Sequence, residues 1–128
     1  MNLTKKKVQD ILDRHIKEKA NKEHCLIVGY SLLGLSKHLK KSEEEQHKWF
    51  TIGVLHDIDI EKYQGDINKH CLVGEEILKE EGIEQEIIDI IKSHNDALKI
   101  ERKKEVEHAL FSLDSLSGII RAYVLMRP

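Results

Sequence analysis

Apolar positions recur at intervals of three and four along most of the chain, and no stretch shows the two-residue alternation of a strand. Val8, Ile11, Leu12 and Ile16 share one face of a first helix, which Thr4 is placed to cap. "ANKEH" opens a second, with His24, Ile27, Val28, Ser31, Leu32, Leu35 and Leu39 along one side. In "SEEE", Ser42 and Glu45 have the spacing of a capping box for a third helix, running through Trp49, Ile52 and Gly53 to His56. The loop "DIDIEKYQGD" follows, and its Gly65-Asp66 pair supplies a turn and then a cap. The pattern predicts a fourth helix from about Ile67 through His70, Gly74 and Leu78, stopped by Gly82. A short fifth helix carries Ile87, Ile88 and Ile91 and ends near "SHND". After the charged "LKIERKKEV", the last helix carries Val106, Ala109, Leu110, Leu113, Ser117, Ile120 and Val124. The fold class read from this pattern is all-α, a bundle of about six helices forming one domain over residues 1–128.

Composition sharpens that picture. The 128 residues are 40% hydrophobic and 34% charged, which describes a globular chain rather than a disordered one. The only proline is the last residue, so no ring breaks a helix before it. Glycines at 29, 34, 53, 74 and 118 fall inside predicted helices, where each costs about 1 kcal/mol relative to alanine. Their number suggests helices that approach one another closely. A net charge of −2 argues against a broad nucleic-acid surface. No apolar run is long enough to cross a bilayer, and the start "MNLTKKKVQDILDRH" lacks the apolar middle of a signal peptide. Cys25 and Cys71 form no CxxC pair and read as reduced, buried thiols, which places the chain in the cytoplasm.

The eight histidines are what demand an explanation. "GVLHDIDIEK" carries an apolar helix straight into His56 and Asp57; His24 and His70 sit on apolar faces, and His94 closes the fifth helix. Asp114 lies among Leu110, Leu113 and Ser117, where a bare carboxylate is costly to bury. Any one of these is ordinarily a hydrogen-bonded core group or a cap. Together, at inward positions of separate helices, they point to a divalent metal: Mn²⁺, Fe²⁺, Co²⁺, Ni²⁺ or Zn²⁺. His15, His38, His47 and His108 have charged or polar neighbours and read as solvated. Two cations are candidates for holding a phosphate: Lys62, in the loop after Asp57, and Arg121, two turns beyond Asp114 on its face. Trp49 reads as core, and Tyr63 as an aromatic that could stack on a base.

His24, then His56-Asp57 after an apolar helix, then a late Asp114, resembles the HD-domain superfamily of metal-dependent phosphohydrolases. His70 in "KHCLVGEEILKEEGI" and His94 in "IIDIIKSHND" resemble the subset that holds two metals, and "LHDID" with "DSLSGIIRAYVLMRP" resembles a group of small bacterial HD proteins. The resemblance implies that His24, His56, Asp57 and Asp114 ligate one ion, with Asp57 bridging to a second held by His70 and His94. It makes the shared Asp57 the catalytic candidate and implies hydrolysis of a phosphate ester or anhydride, on a small nucleotide-like substrate, by a metal-activated water. Asp59 inherits no role from it and reads as a loop cap or as a group that orients a ligand. The Gly-Tyr-Pro signature of the cyclic-di-GMP branch is missing, and the relatives continue past "LMRP" with further helical sequence. The chain is therefore read as a natural short form or as lacking a C-terminal extension, and Leu125 and Met126 as a homodimer interface or the edge of such a segment. Two other functions share the ligand set: a non-catalytic metal-containing module that binds a nucleotide, and a di-iron oxygenase.

Overall fold

The computed structural model describes residues 3–126, with the side chains of residues 120–125 outside the description. Its elements are α1 (Lys5–His15), α2 (Lys19–His38), α3 (Glu43–Leu55), α4 (Leu72–Glu80), α5 (Gln85–Lys92) and α6 (Glu105–Met126), with a short 3-10 turn at Asp96–Leu98. Among the described residues there is no strand. Thr4 caps α1 by accepting the Lys7 N–H, and Ser42 caps α3 by accepting the Glu45 N–H, both at 3.2 Å. Gly82 ends α4 in a left-handed conformation (φ 81°), which lets the next N–H, that of Ile83, bond back to the Leu78 carbonyl at 2.9 Å.

α3 is the central rod. Every residue from Trp49 to Asp59 is buried, so its C-terminal half is enclosed by neighbours on all sides. α2 lies along it, and the two backbones touch: a Cβ on Gly53 would fall 2.6 Å from the Gly29 Cα. Close approach therefore explains Gly29 and Gly53. It does not explain Gly34 or Gly118, where an added Cβ would meet nothing within 4 Å.

That contact also corrects the predicted face of α2. Its buried residues are Cys25, Val28, Gly29, Leu32, Leu33 and Ser36, whereas Ile27 and Leu39 are exposed. Turning Gly29 onto α3 rotates the helix away from the stripe that Ile27 suggested.

The fourth helix starts later than its hydrophobic pattern predicts. Residues 67–71 form turns, and Cys71 takes a left-handed conformation (φ 71°) that interrupts any helix passing through it. His70 thus sits in the turn before α4. The loop from Asp57 to this turn is pinned at its middle by Glu61. Its carboxylate accepts the N–H groups of Lys17 (2.9 Å) and Glu18 (3.0 Å) at the start of α2.

Candidate metal centre

α2 brings His24 to the C-terminal end of α3, where His56 and Asp57 follow Leu55, and α6 lays Asp114 over both. The His24 Nε2 lies 3.2 Å from the His56 Nε2, 3.3 Å from Asp57 Oδ2 and 2.9 Å from Asp114 Oδ1. The His56 Nε2 is 3.4 Å from Asp57 Oδ2 and 3.3 Å from Asp114 Oδ1. On the other side of the same carboxylate, Asp57 Oδ1 is 3.2 Å from the His70 Nε2 and 3.3 Å from the His94 Nε2, and those nitrogens are 3.1 Å apart. All six predicted ligands therefore meet, in two groups that share Asp57.

The orientation of the imidazoles tests whether a cation fits. Each directs Nδ1 outward to an acceptor: Ser117 Oγ for His24 (3.3 Å), the Gly53 carbonyl for His56 (2.6 Å), Asp59 Oδ1 for His70 (2.7 Å) and the Ile91 carbonyl for His94 (2.5 Å). Ser117 donates its own proton to the Asp114 carbonyl, so its oxygen is free to accept. A neutral ring that donates from Nδ1 turns the lone pair of its Nε2 inward. Two such lone pairs facing each other repel unless positive charge lies between them. Ligand atoms about 2.1 Å from a common ion are about 3.0 Å apart at right angles and about 3.4 Å apart at tetrahedral angles. Both groups have that spacing, and the donor set of imidazole and carboxylate suits a divalent transition metal.

Electrostatics agree with the geometry. Hydrogen bonds to Asp114 and Asp57 raise the His24 pKa to about 9. At His56 burial opposes the charge, yet the Asp57 carboxylate and hydrogen bonds to Asp114 and Asp57 carry the pKa to about 10. Burial favours the neutral acid at Asp57 and Asp114, but the imidazoles hold both carboxyls well below their ordinary range. The pocket draws positive charge.

Cys71 is close enough to be weighed as a further ligand beside His70 and His94. Its Sγ lies 3.7 Å from the His94 Nδ1, the nitrogen that donates to Ile91, and 3.8 Å from the Ile91 carbonyl. The thiol is therefore behind the ring, on the side away from Asp57. Cys25 is also fully buried, and burial pushes its thiol well up. Both cysteines pack around the centre, as their positions beside His24 and His70 predict.

Of the two expected phosphate-binding cations, Lys62 has a described side chain and Arg121 does not. Lys62 is exposed and bonds His15 Nδ1 at 2.5 Å, with no hydrogen bond or ion pair to the six clustered residues. Arg121 lies outside the described side chains, as does Leu125, while Met126 is 82% exposed. Tyr63 packs its ring on His70, 4.8 Å between centroids. Of the histidines read as solvated, His38 and His108 are exposed. His15 is half-buried against Glu81 (2.8 Å), and His47 is half-buried against the Leu3 carbonyl.

Three supporting residues escaped the sequence reading in whole or part. Asp59, which reads from the sequence as a cap or an orienting group, is bonded through both oxygens: Oδ1 accepts from His70 while Oδ2 accepts from the Cys71 and Gly74 N–H groups. Asn95 spans the two turns, donating to the Ile67 (2.8 Å) and His70 (3.0 Å) carbonyls. Arg102 stacks on Phe111 of α6 and bonds the Ser93 carbonyl (2.8 Å), fixing the segment that holds His94. Asp59 and Asn95 carry only the signal of a polar residue beside a proposed ligand, and Arg102 carries none.

An all-α bundle with a buried histidine–aspartate centre at its core is thus defined by fold and site together. Residues 21–119 match the model of the HD domain, and the chain belongs to that family, a superfamily of metal-dependent phosphohydrolases. The match includes all six clustered residues and ends before Arg121. No curated protein and no solved structure matches the chain.

Proposed function

We propose that this chain is a metal-dependent phosphohydrolase that cleaves a phosphate ester or anhydride of a small nucleotide-like substrate. The observation that carries the reading is the division of Asp57: its two oxygens face two separate pairs of inward-turned imidazoles, at 3.2–3.4 Å. His24, His56, Asp57 Oδ2 and Asp114 would hold one divalent ion, and Asp57 Oδ1, His70 and His94 a second. Ions there would supply Lewis-acid activation of water and of the phosphoryl oxygens.

The chain's own residues set the conditions for that chemistry. Asp57 would serve both positions, since its two oxygens face the two imidazole pairs. The outward Nδ1 bonds favour the tautomer in which each ring, once neutral, offers Nε2. Asp114 and His24 have side chains 29% and 20% exposed, whereas His56, His70 and His94 are at 8% or below. Substrate therefore approaches over α2 and α6, on the His24–Asp114 side. Lys62 is proposed to meet the phosphate after leaving His15, and Arg121 to do so from the same face as Asp114.

The test is elemental analysis of wild type and Asp57→Ala, followed by a phosphoester screen with Mn²⁺. About two ions per chain in wild type, none in the variant, and turnover reduced in the variant by more than about 100-fold support the reading. Wild-type protein that takes up no ion from added Mn²⁺, Fe²⁺ or Zn²⁺ overturns it. Bound iron whose absorbance changes on exposure to oxygen, without phosphoester turnover, would favour the oxygenase.

A further inference from the structure

Asp59 is 1% exposed, as deeply buried as any charged group described, yet it belongs to neither ligand group. Its surroundings account for both oxygens. Oδ1 accepts the His70 Nδ1–H at 2.7 Å; Oδ2 accepts the backbone N–H groups of Cys71 at 2.6 Å and Gly74 at 2.9 Å.

We propose that Asp59 is the positioning residue of the second cation position, a role that rests on the two-ion reading above. Three features separate this role from that of a simple helix cap. An aspartate serving only as the α4 cap needs one oxygen, and here the other is committed to an imidazole in the dry interior. Among the four clustered imidazoles, His70 alone has a carboxylate behind it, the others leaning on a hydroxyl or a backbone carbonyl. A carboxylate behind a ring makes its far nitrogen a stronger donor and fixes its tautomer. Third, the fold leaves room for it: a Cβ on Gly74 would come within 3.2 Å of Oδ2 and 3.3 Å of Cγ.

The consequence is mechanical as well as electronic. His70 occupies a turn and has no helix to orient it. Asp59 connects its ring to the first residues of α4 and to the loop that begins at Asp57. The ring is thereby referred to the same stretch of chain as the carboxylate it faces. The left-handed conformation of Cys71 turns the chain there, and both its own N–H and that of Gly74 reach the same Asp59 oxygen.

The experiment is a calorimetric titration of the chelator-treated protein with Co²⁺, with the visible absorbance of the bound ion recorded alongside. Wild type is expected to bind two ions, and His70→Ala identifies the second by removing it. Asp59→Asn keeps the shape but offers one acceptor where two are needed, so the affinity of that second ion should fall about 10- to 100-fold with the first unchanged. Gly74→Ala touches no proposed ligand and favours the helix, but it crowds the Asp59 carboxylate; it should weaken the same ion alone. Unchanged affinities for both ions in Asp59→Asn reduce Asp59 to a helix cap and overturn the proposal. If that variant fails to fold, an unchanged second affinity in Gly74→Ala overturns it instead. Wild-type protein that binds only one ion overturns the two-ion reading itself, a result distinct from either.

Discussion

The two halves of the candidate metal centre are built by different physics. Around Asp57 Oδ2, His24 and Asp114 are carried by the long helices α2 and α6, and His56 caps the end of α3. Their positions follow from helix packing, above all from the backbone contact of Gly29 with Gly53. Around Asp57 Oδ1, His70 and His94 come from turns at the ends of short helices. They are held by polar bonds: Asp59 behind one ring, the Ile91 carbonyl behind the other, and Asn95 between the segments. The helical half is the more open and the turn-borne half the more buried. A ligand in a turn is rigid only when each of its hydrogen bonds is made, and burial is what keeps water from competing for them.

The comparison can be broken from either side. The largest effect is expected from Gly53→Ala, which forces α2 and α3 apart. Overpacking of this kind costs about 1–3 kcal/mol, and denaturant unfolding should show it. The ion at the His24 side should be lost first, because His24 and His56 sit on the helices being separated. Asn95→Ala strikes the other half. It strands two carbonyls and should cost about 1–3 kcal/mol, with the His70–His94 ion weakened and the other retained in the same Co²⁺ titration.

Acidity sharpens the contrast further. The His24 pKa, raised to about 9 by its bonds to Asp114 and Asp57, lies above the unfolded value. That pairing therefore stabilises the ion-free chain fully below about pH 6.5 and is lost as pH rises through about 9. A metal must displace the proton to bind. Its apparent affinity should rise about tenfold per pH unit for each proton released, so the gain in Tm on adding Mn²⁺ should grow from pH 6 to pH 9. A gain independent of pH would show that the imidazoles are not the ligands. The smallest effect is expected from Lys62→Ala: fold stability unchanged within about 0.5 kcal/mol, metal content unchanged, and KM raised in steady-state kinetics.

The same contrast explains what was legible in the sequence. His24, His56, Asp57 and Asp114 stand out because a polar group interrupts an apolar helical stripe, and periodicity makes such interruptions visible. The caps at Thr4 and Ser42 are equally local and were equally readable. Asp59 was ambiguous for the opposite reason. Its partners are 11, 12 and 15 residues away, brought close only by a turn whose left-handed residue is a cysteine rather than the expected glycine. That substitution hid the true start of α4, and the fourth helix was read one turn too early. Ile27 misled in another way, since hydrophobic residues also populate protein surfaces.

The bond between His24 and Ser117 joins positions 93 residues apart in the chain, and Asp114 faces His24 beside it. An ion gripped there would be a staple between the second helix and the last, closing most of the 128-residue sequence into a loop. A cross-link of that span removes about 4–5 kcal/mol of freedom from the unfolded chain. Metal supply would then govern how long the protein survives in the cell as well as whether it turns over substrate, because unloaded chains would be the first to open and be degraded.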